Sequence, residues 1–190
     1  TAQIRAGVEA HGAAPGARLL LEMEAEGAEA AMTSGLYITW RTRSGADCTR
    51  VGPRSGCFCK HTLAEHNITA RSEACTACSC KRFEFMPSRP EEVGDWWLVR
   101  RPGFDIRTWE PKCRCKHGFS SHNPNTKRCR ACGCYEFNSD FLCVACDAHW
   151  EDHTTVFETE AERLAAGRAV GPDFMPLADT PDIQAMVLGP

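Results

Sequence analysis

The sequence contains no run of eighteen or more apolar residues, the length a membrane-spanning helix needs, so no helical span is expected from it. It also lacks an excess of positive charge: the formal net charge is −3, a sign that disfavours a nucleic-acid backbone as the default partner. Aromatic residues make up 8% of the chain and the apolar residues of its middle are thinly spread, so segments of about twenty-five residues there are too short to bury a sufficient core unaided. Three zinc signatures are missing as well. There is no His-x-Glu followed by Pro-Cys-x2-Cys, as in zinc deaminases, no Cys-x2-Cys finger closed by His-x3-His across a recognition helix, and no alternating cross-brace order of ligand pairs as in RING-type ligases.

What the chain does have is thirteen cysteines and seven histidines. The pattern Cys-x-Cys-Lys-His-x4-His, followed by Cys-x2-Cys-x-Cys-x2-Phe, occurs twice. The first copy is Cys57, Cys59, His61, His66, Cys75, Cys78, Cys80 and Phe83, and the second is Cys113, Cys115, His117, His122, Cys129, Cys132, Cys134 and Phe137. A shorter cluster follows, with Cys143, Cys146, His149 and His153, and Cys48 precedes them all. Only His11 lies outside these groups.

Small segments with thin cores need a staple, either disulfides or metal. An odd cysteine count, no leader-like stretch and histidines locked into the cysteine spacing point to metal in a reducing, cytoplasmic setting. Soft thiolate and imidazole donors select zinc, and the interleaved histidines argue against an iron–sulfur cluster. The missing initiator Met suggests a fragment, a processed chain or a partial one.

Each repeat offers seven donors, one short of two tetrahedra. Along an extended strand the two cysteines of Cys-x-Cys face opposite ways and could serve neighbouring ions, although two residues so spaced can also chelate one. Cys48 is a candidate eighth donor for the first repeat, and a residue of the third cluster for the second. Nineteen candidates thus support about four Zn2+ ions with three to spare, or fewer if some histidines only orient other ligands. Four zinc ions on twelve thiolates would carry the net charge to roughly −7. Glu65 and Glu151 sit beside ligands, but lone acids there read as surface charge, and no catalytic activity is expected.

Around the clusters, Leu19, Leu20, Met23 and Ala30 predict a helix over about 17–32 with a narrow apolar stripe. Alternation from Leu36 to Arg41 predicts a strand, and Lys81–Phe85 another. Ser88-x-x-Glu91 with Pro90 predicts a helix through Val93, Trp96 and Trp97 to about Arg100. Its rings, with Phe104 and Trp109, are expected to form a core between the repeats, or else a docking patch with Arg100, Arg101 and Arg107. A short helix is predicted over 158–166, and an extended tail from Gly171. The fold class is therefore a small α+β, zinc-stapled and irregular domain. Its parts are an arm and docking helix (1–35), a first Cys/His module (36–86), an aromatic linker (87–111), a second module with the third cluster (112–157), and a short helix with a tail (158–190).

The second module collects Lys112, Arg114, Lys116, Lys127, Arg128 and Arg130 with no acid between Pro111 and Tyr135, which leaves nucleic-acid binding as an alternative reading.

Several stretches resemble the eukaryotic family-with-sequence-similarity two-twenty-one proteins, the B-type members in particular. They are Asp47-Cys48 with Val51-Gly52-Pro53, the run from Pro87 to Gly94, Cys113-Arg114-Cys115-Lys116-His117, Phe141-Leu142-Cys143-x2-Cys146-Asp147, and Trp150-Glu151-x-His153. The likeness covers about three quarters of the chain. It carries over no activity. It implies that Cys48 belongs to the Cys/His constellation and that the protein is a structural part of motile cilia or sperm flagella, with axonemal proteins or tubulin as partners.

Overall fold

The computed structural model describes residues 9, 10, 12, 16–69, 72–95, 97–176, 182 and 185. The architecture is a small α+β one: among the described residues, a long helix and a short one, a three-stranded antiparallel sheet, and a long irregular middle of bridges and single 3-10 turns.

Helix α1 spans Ala17–Ser34 and stops at Gly35, whose left-handed backbone (φ 72°) lets its N–H bond the Ala31 carbonyl. The face it buries is not the predicted leucine stripe but Gly27, Ala28 and Ala31. Small residues win here because the helix lies directly on backbone: a Cβ at Gly52 would stand 2.8 Å from the Cα and N of Gly27. The paired glycines thus allow an approach that any side chain would prevent.

Strand β1 (Leu36–Thr42) is central, with β2 (Asp47–Arg50) on one side and β3 (His153–Thr159) on the other. Leu36 faces Thr159 and Thr42 faces His153, so the end of the cysteine-rich region returns to its beginning. Both faces of β1 are covered, with Tyr37, Ile38, Thr39 and Trp40 all buried. Helix α2 (Glu160–Ala165) follows β3 directly and starts later than the predicted residue 158. Thr159 caps it, accepting from Glu162 N–H while the Glu162 carboxylate accepts from Thr159 N–H.

Beneath the sheet end, Arg163 of α2 is 2% exposed and pairs with Asp47 at 3.0 Å and Glu158 at 2.9 Å; Arg41 pairs with the same two acids. The Arg163 guanidinium also lies over the Phe174 ring, 4.8 Å from its centroid. The tail is not extended where it is described: Gly171–Phe174 forms a 3-10 turn that buries Phe174 edge-on against Tyr37. The rest of the tail prediction, with the N-terminal arm and Trp96, falls largely or wholly outside the described residues.

Two further expectations change. Residues 88–100 do not form one helix. Pro90 opens a single turn, Pro90–Val93, whose start is capped by Glu92 accepting from Ser88 N–H (2.6 Å) and Arg89 N–H (2.9 Å), and Gly94 at φ 78° ends it. Nor does the linker supply the core: Trp97 is 51% exposed. That core comes from the repeats themselves, where Phe58 meets Phe119, Phe137 and Trp150 with ring centroids 5.3 to 5.8 Å apart, and Phe83 and Phe85 are buried nearby. Lys81–Phe85 makes only one bridge, Phe85 with Cys57, rather than a strand.

Candidate metal centres

The repeat in sequence is a repeat in backbone. In the first copy the Cys57 N–H bonds the His61 carbonyl and the Lys60 N–H bonds the Cys57 carbonyl; the second copy repeats both bonds at Cys113, His117 and Lys116. Lys60 and Lys116 take left-handed backbone (φ 77° and 70°), turning the Cys-x-Cys segment so that its sulfurs converge. Asp147 does the same (φ 57°) in the third cluster, where Cys143 N–H bonds the Ala148 carbonyl. After each knuckle comes one 3-10 turn, Leu63–Glu65, Phe119–Ser121 or Trp150–Asp152, and each ends on a histidine: His66, His122 or His153.

Those three histidines are oriented alike. His66 Nδ1 donates to the Thr62 carbonyl (2.8 Å), His122 Nδ1 to Gly118 (2.9 Å) and His153 Nδ1 to His149 (2.7 Å). Donation from Nδ1 leaves the Nε2 lone pair free, and in each case Nε2 faces sulfur: Cys59 at 3.6 Å, Cys134 at 3.6 Å and Cys146 at 3.2 Å. This second hydrogen bond is the usual device that fixes the tautomer of a metal-binding imidazole. An aromatic ring braces each one, Phe83 edge-on to His66, Phe137 edge-on to His122, and Trp40 stacked on His153 at 3.8 Å.

Among the described residues, five groups of four donors lie with all their ligand atoms within 4.8 Å of one another. They are Cys57, Cys59, His66 and Cys80; Cys59, His61, Cys75 and Cys78; Cys113, Cys115, His122 and Cys134; Cys115, Cys129, Cys132 and Cys134; and Cys48, Cys143, Cys146 and His153. None of the thirteen cysteines is in a disulfide.

Seventeen of the nineteen predicted donors fall in these groups. His117 is outside them, with its Nδ1 3.5 Å from Cys115 sulfur. His149 is turned away: its Nδ1 lies 3.1 Å from the Phe141 carbonyl and 3.3 Å from Ser139 Oγ, and it occupies the position of Thr62 and Gly118, whose role is to offer a carbonyl. Cys48 does not complete the first repeat. Strand β2 carries it to the third cluster, where β3 delivers His153, so two edges of one sheet supply half of that group. No sequence spacing announces this pairing, because the partners lie at opposite ends of the cysteine-rich region.

The donor set fits a soft divalent cation. Burial, then the neighbouring Cys146 and Cys143 sulfurs, push the Cys48 thiol up. The Cys57 thiol is pushed up by its hydrogen bond with Cys80 and by burial, and burial takes Cys59 up to about 12. Sulfurs this close cannot all ionise unless positive charge stands among them. Backbone N–H groups already point at three of the cluster sulfurs, Glu84 to Cys57, Asn138 to Cys113 and Ala77 to Cys75, all at 3.4 Å. Burial holds His153 below the ordinary imidazole value, which favours the neutral form that binds metal.

The basic patch of the second repeat is partly neutralised. Lys127 pairs with Glu84 of the first repeat and lies over the Phe58 ring at 4.3 Å, Arg114 reaches Glu151 at 3.3 Å, and Lys116 reaches Asp140 at 3.9 Å. No helix among the described residues is long and apolar enough to cross a membrane.

A family model described as Protein FAM221A/B matches residues 20–94 and 103–187. The chain is 45% identical to human Protein FAM221B over 161 residues, 81% of this chain and 40% of the human one. It is 44% identical to mouse Protein FAM221B over 80% of this chain and 33% of the relative, and 35% identical to Xenopus tropicalis Protein FAM221A over 73% and 45%. The chain therefore spans less than half the length of these relatives. No solved structure matches it.

Proposed function

This chain belongs to the FAM221 family, and from that premise we propose that it is a zinc-stapled structural module, a rigid binding part of a larger assembly with no catalysis of its own. The observation that carries this reading is the convergence of four Cys/His donors in each group, with three histidines locked by Nδ1 donation to present Nε2 to sulfur. Four protein donors close a tetrahedron, which is the form of structural zinc, whereas catalytic zinc keeps one position for water. The zinc would be held by the donors of those groups and would supply folding free energy on the order of 10 kcal/mol or more per site. Elemental analysis of the purified chain tests this: several zinc ions per chain are expected, and a folded chain without metal would refute it.

The resemblance to the family directs the search for the assembly to motile cilia and flagella. The full-length protein is expected to stay with the axoneme when ciliated cells are extracted with detergent. Complete release into the detergent-soluble fraction would count against that placement.

A further inference from the structure

We propose that each repeat holds a two-ion zinc cluster in which one thiolate, Cys59 in the first copy and Cys115 in the second, bridges both ions, while the third cluster holds a single ion. This rests on the zinc reading above and deepens it.

The donor count poses the problem. Seven donors cannot complete two separate tetrahedra, and among the described residues no eighth donor joins either repeat, Cys48 lying with the third cluster. Sharing one donor closes the gap. An imidazole nitrogen has one lone pair and cannot be shared, whereas a thiolate has several, so the shared atom must be sulfur.

Geometry selects which sulfur. Cys59 belongs to both groups of the first repeat, standing 3.5 Å from His61 Nδ1 and 3.6 Å from His66 Nε2. With Zn–S of about 2.3 Å and Zn–N of about 2.0–2.1 Å, a sulfur and a nitrogen on one tetrahedral ion lie roughly 3.6 Å apart. Cys59 meets that spacing to two different histidines. One ion then takes Cys57, Cys59, His66 and Cys80, and the other Cys59, His61, Cys75 and Cys78.

The second repeat places Cys115 in the same way, 3.5 Å from His117 Nδ1 and 3.7 Å from His122 Nε2, and in both of its groups. There the outer group gathers Cys134 with Cys115, Cys129 and Cys132. By correspondence with His61, His117 takes the fourth place on the outer ion and leaves Cys134 to the inner one.

The third cluster is the internal control. Its knuckle repeats the same backbone bonds, but Ala148 stands where His61 and His117 stand, and no Cys-x2-Cys-x-Cys segment follows. Cys146, the counterpart of Cys59, has only one ion to serve.

The test uses the intact holo chain and the metals themselves. Zinc analysis is expected to give five ions per chain. After exchange with 113Cd, five resonances are expected, four of them split by cadmium–cadmium coupling through a bridging sulfur and one unsplit. Cys78 is an exposed terminal donor of the outer ion. Cys78→Ser is therefore expected to lower the count from five to four and to collapse one coupled pair to a single line. Three uncoupled ions per chain would overturn the bridge while leaving the zinc-stapled reading intact. A folded chain that binds no ion would overturn both.

Discussion

Stripping metal from the chain with a strong chelator at neutral pH is expected to unfold the whole region from Val51 to Asp152, and zinc, but not magnesium, is expected to restore it. The reason lies in what else could hold that region. It has no α-helix and no multi-residue strand among its described residues, only isolated bridges and single 3-10 turns, so backbone hydrogen bonding alone gives little cooperative structure. The core it shares with strand β1 contains fifteen buried residues, of which Cys57, Cys75, Cys80, Cys113 and Cys143 are candidate ligands. Removing the cation therefore also leaves a third of the core as thiols crowded on one another. The rings nearby report the loss: Trp40 stacks on His153, and Trp150 packs on Phe58 and donates to the Phe85 carbonyl at 2.7 Å. Near-ultraviolet circular dichroism and tryptophan emission should both collapse as metal leaves. An unchanged near-ultraviolet spectrum in verified metal-free protein would show that packing suffices.

Arg163→Met is expected to destabilise the sheet end by about 3 kcal/mol, the lower part of the range for breaking a buried ion pair. The substitution keeps a flexible, unbranched stem but removes the guanidinium, leaving Asp47 and Glu158 with Arg41 as their principal remaining partner. It also removes the cation from the Phe174 ring, loosening the turn that seats the tail.

The pH dependence has a definite sign. Arg41 hydrogen bonding, with the nearby guanidinium charges, holds the Glu158 carboxyl below the usual carboxylate range. Burial pushes Asp47 up, but hydrogen bonds from Arg41 and Arg163 outweigh it and leave that carboxyl lowered. Groups whose folded values are depressed stabilise above their unfolded values, near 4, and lose that contribution as the pH falls through the folded ones. Denaturant midpoints of the two proteins should therefore differ by a constant gap from about pH 8 to 5, narrowing only below about 4. A gap that shrinks already at pH 6 would place the effect elsewhere. Adding Glu158→Gln to Arg163→Met should recover part of the loss, the mark of a direct interaction.

The parts of the molecule that were legible in sequence are those written in local periods. The helix before Gly35 and the strand after it follow from spacing, and the repeated Cys/His positions mark the donors. What spacing could not reveal was placement over distance. The face α1 buries is set by the backbone of Gly52, not by its own leucines. Strand β3 was hidden because its first residue, His153, reads as a ligand, although Val156 and Phe157 carry strand-forming side chains. The expected helix at 88–100 failed for a local reason that was present in the sequence: Gly94 follows Pro90 so closely that the chain turns once and leaves. Spacing left each repeat one donor short, and only the fold shows Cys59 standing between two histidines, the observation behind the proposed bridge.

The route of the chain also imposes an order on its making. Each repeat gathers donors that follow one another within a single short stretch, so on the proposed zinc reading each could capture its ions as soon as it leaves the ribosome. The third group cannot: Cys48 emerges early and must wait for Cys143, Cys146 and His153, just as β1 must wait for β3. Joining them closes a long loop, whose entropic penalty grows only slowly with length once the intervening repeats are compact. On the proposed zinc reading that last ion would act as a clasp, and a chain released before His153 would carry two closed repeats and an open sheet edge ready to pair with a neighbour.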